Sequence, residues 1–133
     1  MTNINIDNIG GLCSQELLIN FVKMCLTELD IKPKTIYIYF ENEKYIGNTQ
    51  STGMCIDNFI DDFTILAAKN NRTITEVFRT VAHELVHVKH YMKDNLSDLF
   101  LQEADGHYEN LWWEKEARTK SEQLVLQFVQ KFG

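Results

Sequence analysis

The stretch TITEVFRTVAHELVHVKHYM, residues 73–92, limits what this chain can fold into more than any other. Ile74, Val77/Phe78, Val81, Leu85, Val88 and Met92 recur at threes and fours, which predicts one long amphipathic helix. TITE at its start has the form of a capping box: Thr73 can cap, and Glu76 can reach back. At about 100° per residue, His83 and His87 fall roughly 170° to 230° from the centre of the apolar stripe. They face either solvent or an element that covers the helix from its other side.

The remaining elements are read around this helix. Ser14 to about Asp30 is predicted to be an amphipathic helix, with Leu17, Leu18, Phe21, Met24, Cys25 and Leu29 on one face and Ser14 as N-cap. TIYIYF, 35–40, is dense in β-branched and aromatic residues and reads as a strand. Further strands are expected at Met54–Asp57 and Phe63–Ala68. A loop is expected from Asp94 to Tyr108, with a turn through Leu96–Leu101. The helical period returns from Leu111 through Ala117, Leu124/Val125, Phe128 and Phe132. The expected class is α+β: an N-terminal helix, a small, mainly antiparallel sheet of about three strands, the HExxH helix and a C-terminal glutamate helix.

A length of 133 residues, 44% of them hydrophobic, supports one core and one domain spanning 1–133. The net charge of -6 argues against a general nucleic-acid binder, so no nucleic-acid partner is expected. Cys13, Cys25 and Cys55 are odd in number and lack CxxC spacing. They are expected to be small buried residues in a reducing compartment. The start MTNINIDNIGG lacks the basic and apolar regions of a signal peptide, and no run reaches transmembrane length. A cytoplasmic protein with no membrane partner is expected.

The chemistry lies in HELVH. Residues four apart on a helix share a face, so His83 and His87 can hold one metal ion between their imidazoles. Glu84 points to the side of that ion, where a general base acting on a zinc-activated water would stand. The alternative is the wet face of an ordinary helix in an interaction protein that carries the motif by chance.

A catalytic zinc takes three protein ligands and keeps one position open. His90 lies one further turn along, roughly 10 Å from His83. Its ordinary expectation is a surface histidine, ahead of a role in supporting a ligand or meeting substrate. In WWEKEAR, 112–118, Glu114 lies within roughly 30° of the apolar stripe, and Glu116 about 130° away. A carboxylate on a buried face is costly unless paired or metal-bound. Glu114 is therefore the expected third ligand, with Glu116 the alternative. Ala117 one turn on would let the two helices approach. Trp112, Trp113 and Tyr108 are expected to pack around the helix start.

HELVH on one helix and Glu-x-x-Ala on the next resemble the gluzincin clan of zinc peptidases, which includes thermolysin. Glu114 stands three before Ala117, the position that matches the clan's ligand glutamate. TVAHELVHVKHYM and WWEKEAR resemble more closely small HExxH proteins of bacteriophages, which carry similar HELVHVKQY and PWEIEA segments. Gly53-Met54-Cys55 is similar to a Gly-x-Cys segment in that group. The resemblance covers about residues 50 to 120. Trp112 replaces the group's proline. Arg118 stands where larger gluzincins often place an acidic residue that orients a histidine, so that support must come from elsewhere. Lys93 and Met92 occupy the last-ligand positions of two other HExxH patterns.

The resemblance implies a minimal zincin-like metallopeptidase with one zinc per chain, a peptide or protein substrate, and Glu84 as general base. His107 and Tyr108, or Tyr91 and His90, would be the sources of a donor to the oxyanion. Substrate would add to a sheet edge in the 54–68 region. The competing expectation is a zinc-containing regulatory or binding module with little or no turnover.

Overall fold

The alternation Asn-Ile-Asn-Ile-Asp forms a strand, β1 (Asn3–Asp7), with Ile4 and Ile6 turned inward and the polar residues exposed. Ser14 caps the helix that follows, α1 (Gln15–Leu29), by accepting from the Leu17 N–H at 3.1 Å. Asp30, in the left-handed region, ends it. The chain then forms β2 (Thr35–Glu41), β3 (Gly53–Asp57), β4 (Asp62–Ala68), α2 (Ile74–Lys93) and α3 (Trp112–Phe132). The computed structural model describes residues 1–97 and 111–132.

The class is α+β, but the sheet departs from the expected three mainly antiparallel strands. It has four strands in the order β1-β2-β4-β3. β1 pairs with β2 in parallel, β2 with β4 in parallel, and only β3 with β4 antiparallel. The difference has two sources. β1 is short and half polar, so its period-two signal is easily passed over. With β1 present, α1 becomes a crossover between parallel strands, the long connection that such pairing requires. The segment Asp94–Tyr108 lies mostly outside the described residues; within them, residues 96 and 97 are helical.

The helices and sheet share one core. Phe21 of α1 stacks on Phe78 of α2 at 4.7 Å and meets Phe128 of α3 edge-on at 5.1 Å, so the three helices converge on one aromatic cluster. Ile36, Ile38, Phe40, Phe63 and Ile65 bring the sheet's inner face into the same cluster. Cys25 is buried there, while Cys13 and Cys55 are half-buried; all three are free thiols. No helix among the described residues is long and apolar enough to cross a membrane.

The helix α2 touches α1, α3, β3 and β4, which places it at the centre of the fold. Its start is fixed twice. In the capping box, the Glu76 N–H donates to Thr73 Oγ1 and the Thr73 N–H to Glu76 Oε1. The Arg72 guanidinium donates to Ala68 O at the end of β4, to Glu76 O and to Thr80 Oγ1. Thr73→Ala is expected to lower the unfolding free energy by about 1 kcal/mol, read by denaturant titration. Unchanged stability would mean that Arg72 alone fixes the helix start.

Candidate metal centre

Because α2 is covered on its polar side as well as its apolar side, residues that the helical wheel places away from the core are enclosed. His87 is 5% exposed, Glu84 7% and Glu114 of α3 3%. Only His83 keeps appreciable access. Glu114 faces both histidines: its Oε2 is 3.2 Å from His83 Nε2, and its Oε1 is 2.7 Å from His87 Nε2. Ala117, fully buried one turn along α3, leaves room for the two helices to close.

These atoms suit a cation. One donor atom from each of His83, His87 and Glu114 lies within 4.8 Å of the other two. Ligands held 2.0–2.1 Å from a tetrahedral ion stand about 3.3 Å apart, close to the His83–Glu114 separation. The short approach of His87 Nε2 to Glu114 lacks hydrogen-bond alignment, and that buried nitrogen has no hydrogen-bond partner. Two imidazole nitrogens, one of them buried without a hydrogen-bond partner, and a carboxylate form a donor set of the kind that can hold zinc.

Charge in the pocket is arranged around the same atoms. Burial disfavours the imidazolium of His83. Its hydrogen bond to Glu114 and the charges of Glu84 and Glu114 outweigh that, leaving its pKa raised. Arg118 opposes them from the cleft wall. Burial pushes the Glu84 carboxyl up, against the pull of His87 and His83, and Glu114 adds to the rise.

Glu116 lies elsewhere than the cluster. Its Oε1 accepts from Lys89 Nζ at 2.6 Å and stands 2.9 Å from His90 Nε2. His90 is no surface histidine, contrary to its ordinary expectation: it is fully buried, with Nδ1 3.2 Å from His87 Nδ1 and the Trp112 ring edge-on at 5.3 Å. Trp113 is buried in the packing at the start of α3, while Trp112 is half-exposed. His107 and Tyr108 lie outside the described residues.

Two openings meet at the carboxylates. A cleft of about 440 Å³ runs along the first half of α2, walled by residues 50–53, Arg72, Arg79 and Arg118. A cavity of about 240 Å³ opens on the His87 side and reaches Cys55 and Tyr91. Gly53, Glu84 and Glu114 line both. The sequence pointed to Gly53 through a resemblance; its physical role is a close approach. A Cβ there would stand 2.6 Å from Thr80 Cγ2 and 2.9 Å from Glu84 Oε2.

In comparisons with known proteins, the chain matches no family model, no curated protein and no solved structure.

Gly53→Ala is expected to cost about 1–3 kcal/mol in denaturant unfolding, because either β3 or the Thr80 and Glu84 side chains must move. Wild-type stability would mean that the strand yields freely. A second expectation concerns the metal-free protein. The raised Glu84 pKa favours the protonated carboxyl in the folded state. Its stabilising effect is therefore present below the ordinary carboxylate pKa and lost as pH rises through the raised value. Glu84→Gln should gain stability relative to wild type across that rise and hold the gain above it. A difference independent of pH would contradict the raised pKa.

Proposed function

We propose that the chain is a zinc-dependent peptide hydrolase built on a minimal zincin-like core. His83, His87 and Glu114 are the metal ligands, and Glu84 is the general base. The observation that carries this reading is the buried His83–His87–Glu114 cluster, flanked by a buried carboxylate and reached from two openings. It is a gluzincin-type reading, with Glu114 rather than Glu116 as the third ligand.

When bound, zinc supplies a Lewis-acid centre that acidifies water and polarises a carbonyl. The side chains supply the rest. The raised pKa of Glu84 makes its carboxylate a stronger base than an exposed one, suited to taking a proton from the attacking water. The same carboxyl then gives that proton to the leaving amine. Tyr91 lines the cavity beside His87, and burial pushes its phenol up to about 12, so its hydroxyl keeps its proton near neutral pH. A protonated hydroxyl at that place can donate to a developing oxyanion.

Substrate extends along β3. Among the described residues, this strand pairs only with β4. The Ala68 N–H donates to Thr52 O and the Asn58 N–H to Asp62 O. The antiparallel alternation then turns the backbone groups of Cys55 and Asp57 toward the open edge, while those of Gly53 meet Ser51 Oγ. A peptide that added a strand there would run past Glu84.

Elemental analysis of wild type and Glu114→Gln, paired with hydrolysis assays on Glu84→Gln, tests the reading. The expected result is about one zinc per wild-type chain and a strong loss in Glu114→Gln. Glu84→Gln should keep its zinc while hydrolysis of an unstructured protein substrate falls by about 10²–10⁴-fold. A wild type that takes no zinc removes the reading. Zinc without turnover in wild type leaves a zinc-containing regulatory or binding module in its place.

A further inference from the structure

His90 and Glu116 take no part in the proposed ligand set, yet they are joined to it. Three atoms pairs form a chain from surface to centre: Glu116 Oε1 to His90 Nε2 at 2.9 Å, His90 Nδ1 to His87 Nδ1 at 3.2 Å, and His87 Nε2 to Glu114 at 2.7 Å. His90 is 0% exposed, whereas the Glu116 side chain is 38% exposed and also bound to Lys89. The buried imidazole links a solvent-reaching carboxylate to an enclosed one.

The contacts allow one proton arrangement when His87 offers Nε2 to a metal. A neutral imidazole carries a proton on one nitrogen only. With its Nε2 lone pair committed, His87 carries the proton on Nδ1 and donates it to His90 Nδ1. That nitrogen must then be bare, so His90 carries its proton on Nε2. The Nε2–H points at Glu116 Oε1, an acceptor. Every donor meets an acceptor, and no group has to change charge.

We propose that His90 and Glu116 are positioning residues that fix the tautomer and ring orientation of His87 through this hydrogen-bonded chain. The proposal rests on the reading of His87 as a metal ligand. It also says what performs the task for which Arg118 is unsuited. Ligand histidines commonly donate their second ring N–H to a carboxylate, which orients the ring and raises its basicity. Here an interposed imidazole spans the gap, because the carboxylate lies at the protein's edge rather than beside His87. The Trp112 ring meets His90 edge-on.

The test is zinc affinity, by competition with a chromophoric chelator, for wild type, Glu116→Ala, Glu116→Gln, His90→Phe and Lys89→Met. Nitrogen-15 spectra of the histidine rings in the zinc-loaded wild type accompany it. The expected spectra place the protons on His87 Nδ1 and His90 Nε2. Glu116→Ala and His90→Phe should each weaken zinc binding by about 10–100-fold. Glu116→Gln should lose less, because its amide oxygen still accepts from His90. Lys89→Met should stay near wild type, because it removes the surface ion pair and leaves the chain intact. If His90→Phe fails to fold, Glu116→Ala, at a partly exposed position, decides alone. Affinity within about two-fold of wild type in Glu116→Ala, against the 10-fold or more expected, overturns the relay, as does a proton on His90 Nδ1. With one zinc in the wild type, either result leaves the metal centre standing. A wild type that takes no zinc overturns the centre and the relay together.

Discussion

The fold turns on a carboxylate buried against two imidazoles. Glu114 on α3 is almost fully enclosed, and its oxygens lie against His83 and His87 on α2. Removing an ionised carboxylate from water costs several kcal/mol after relaxation, so a positive partner is needed. Without a metal, protonated histidine can serve, and the raised pKa of His83 is the mark of that demand. On the proposed reading, a divalent cation would answer it better, because it would meet all three donors at once. The close approach that this requires is granted by Ala117, and the aromatic contacts among α1, α2 and α3 hold the helices in register.

Much of this was legible in the residues. The apolar stripe and TITE gave the length and start of α2, and Glu114 stood out as the acidic residue on an otherwise apolar face. The parallel sheet was less accessible. One parallel pair rests on β1, a short strand whose isoleucines are only half-buried; the other joins β2 to β4, which are separated in sequence by β3, and no local pattern codes for that placement. His90 was hidden for a different reason. A helical wheel gives the direction of a side chain but not what lies opposite it. His83, His87 and His90 share a side that would be wet on a surface helix, and the approach of α3 makes it interior. The pairing of His90 with Glu116 then depends on the offset between two helices distant in sequence, for which no local periodicity codes. Gly53 was noticed by resemblance, while its reason, contact with Glu84 and Thr80, belongs to three dimensions.

The two glutamates of α3 take different work because residues two apart on a helix point about 200° apart. Glu114 points between the helices and is held by His83 and His87. Glu116, two residues on, reaches the outer side of α2, where Lys89 holds its carboxylate below the usual range, with help from His90. The pair Glu114 and Glu116 therefore grips the pair His87 and His90 across the helix interface. On the proposed reading, α3 both supplies a ligand and orients another.

That arrangement also explains why the interface is poorly optimised for stability alone. Glu84 is enclosed, and its pKa is raised mainly by loss of solvent. Gly53 leaves β3 with no side chain at the point of contact, a choice that weakens a strand. An apolar residue at 84 would leave fewer polar groups in the interior. The sequence instead keeps a carboxylate where burial penalises its charge and a glycine where the strand must approach it. Strongly perturbed ionisable groups in clefts concentrate at functional sites, although structural networks perturb them too. Here the perturbed carboxylate lies on both openings and next to three donors that could hold a metal ion. Packing gives no reason for its presence there; on the proposed reading, proton transfer beside a metal would.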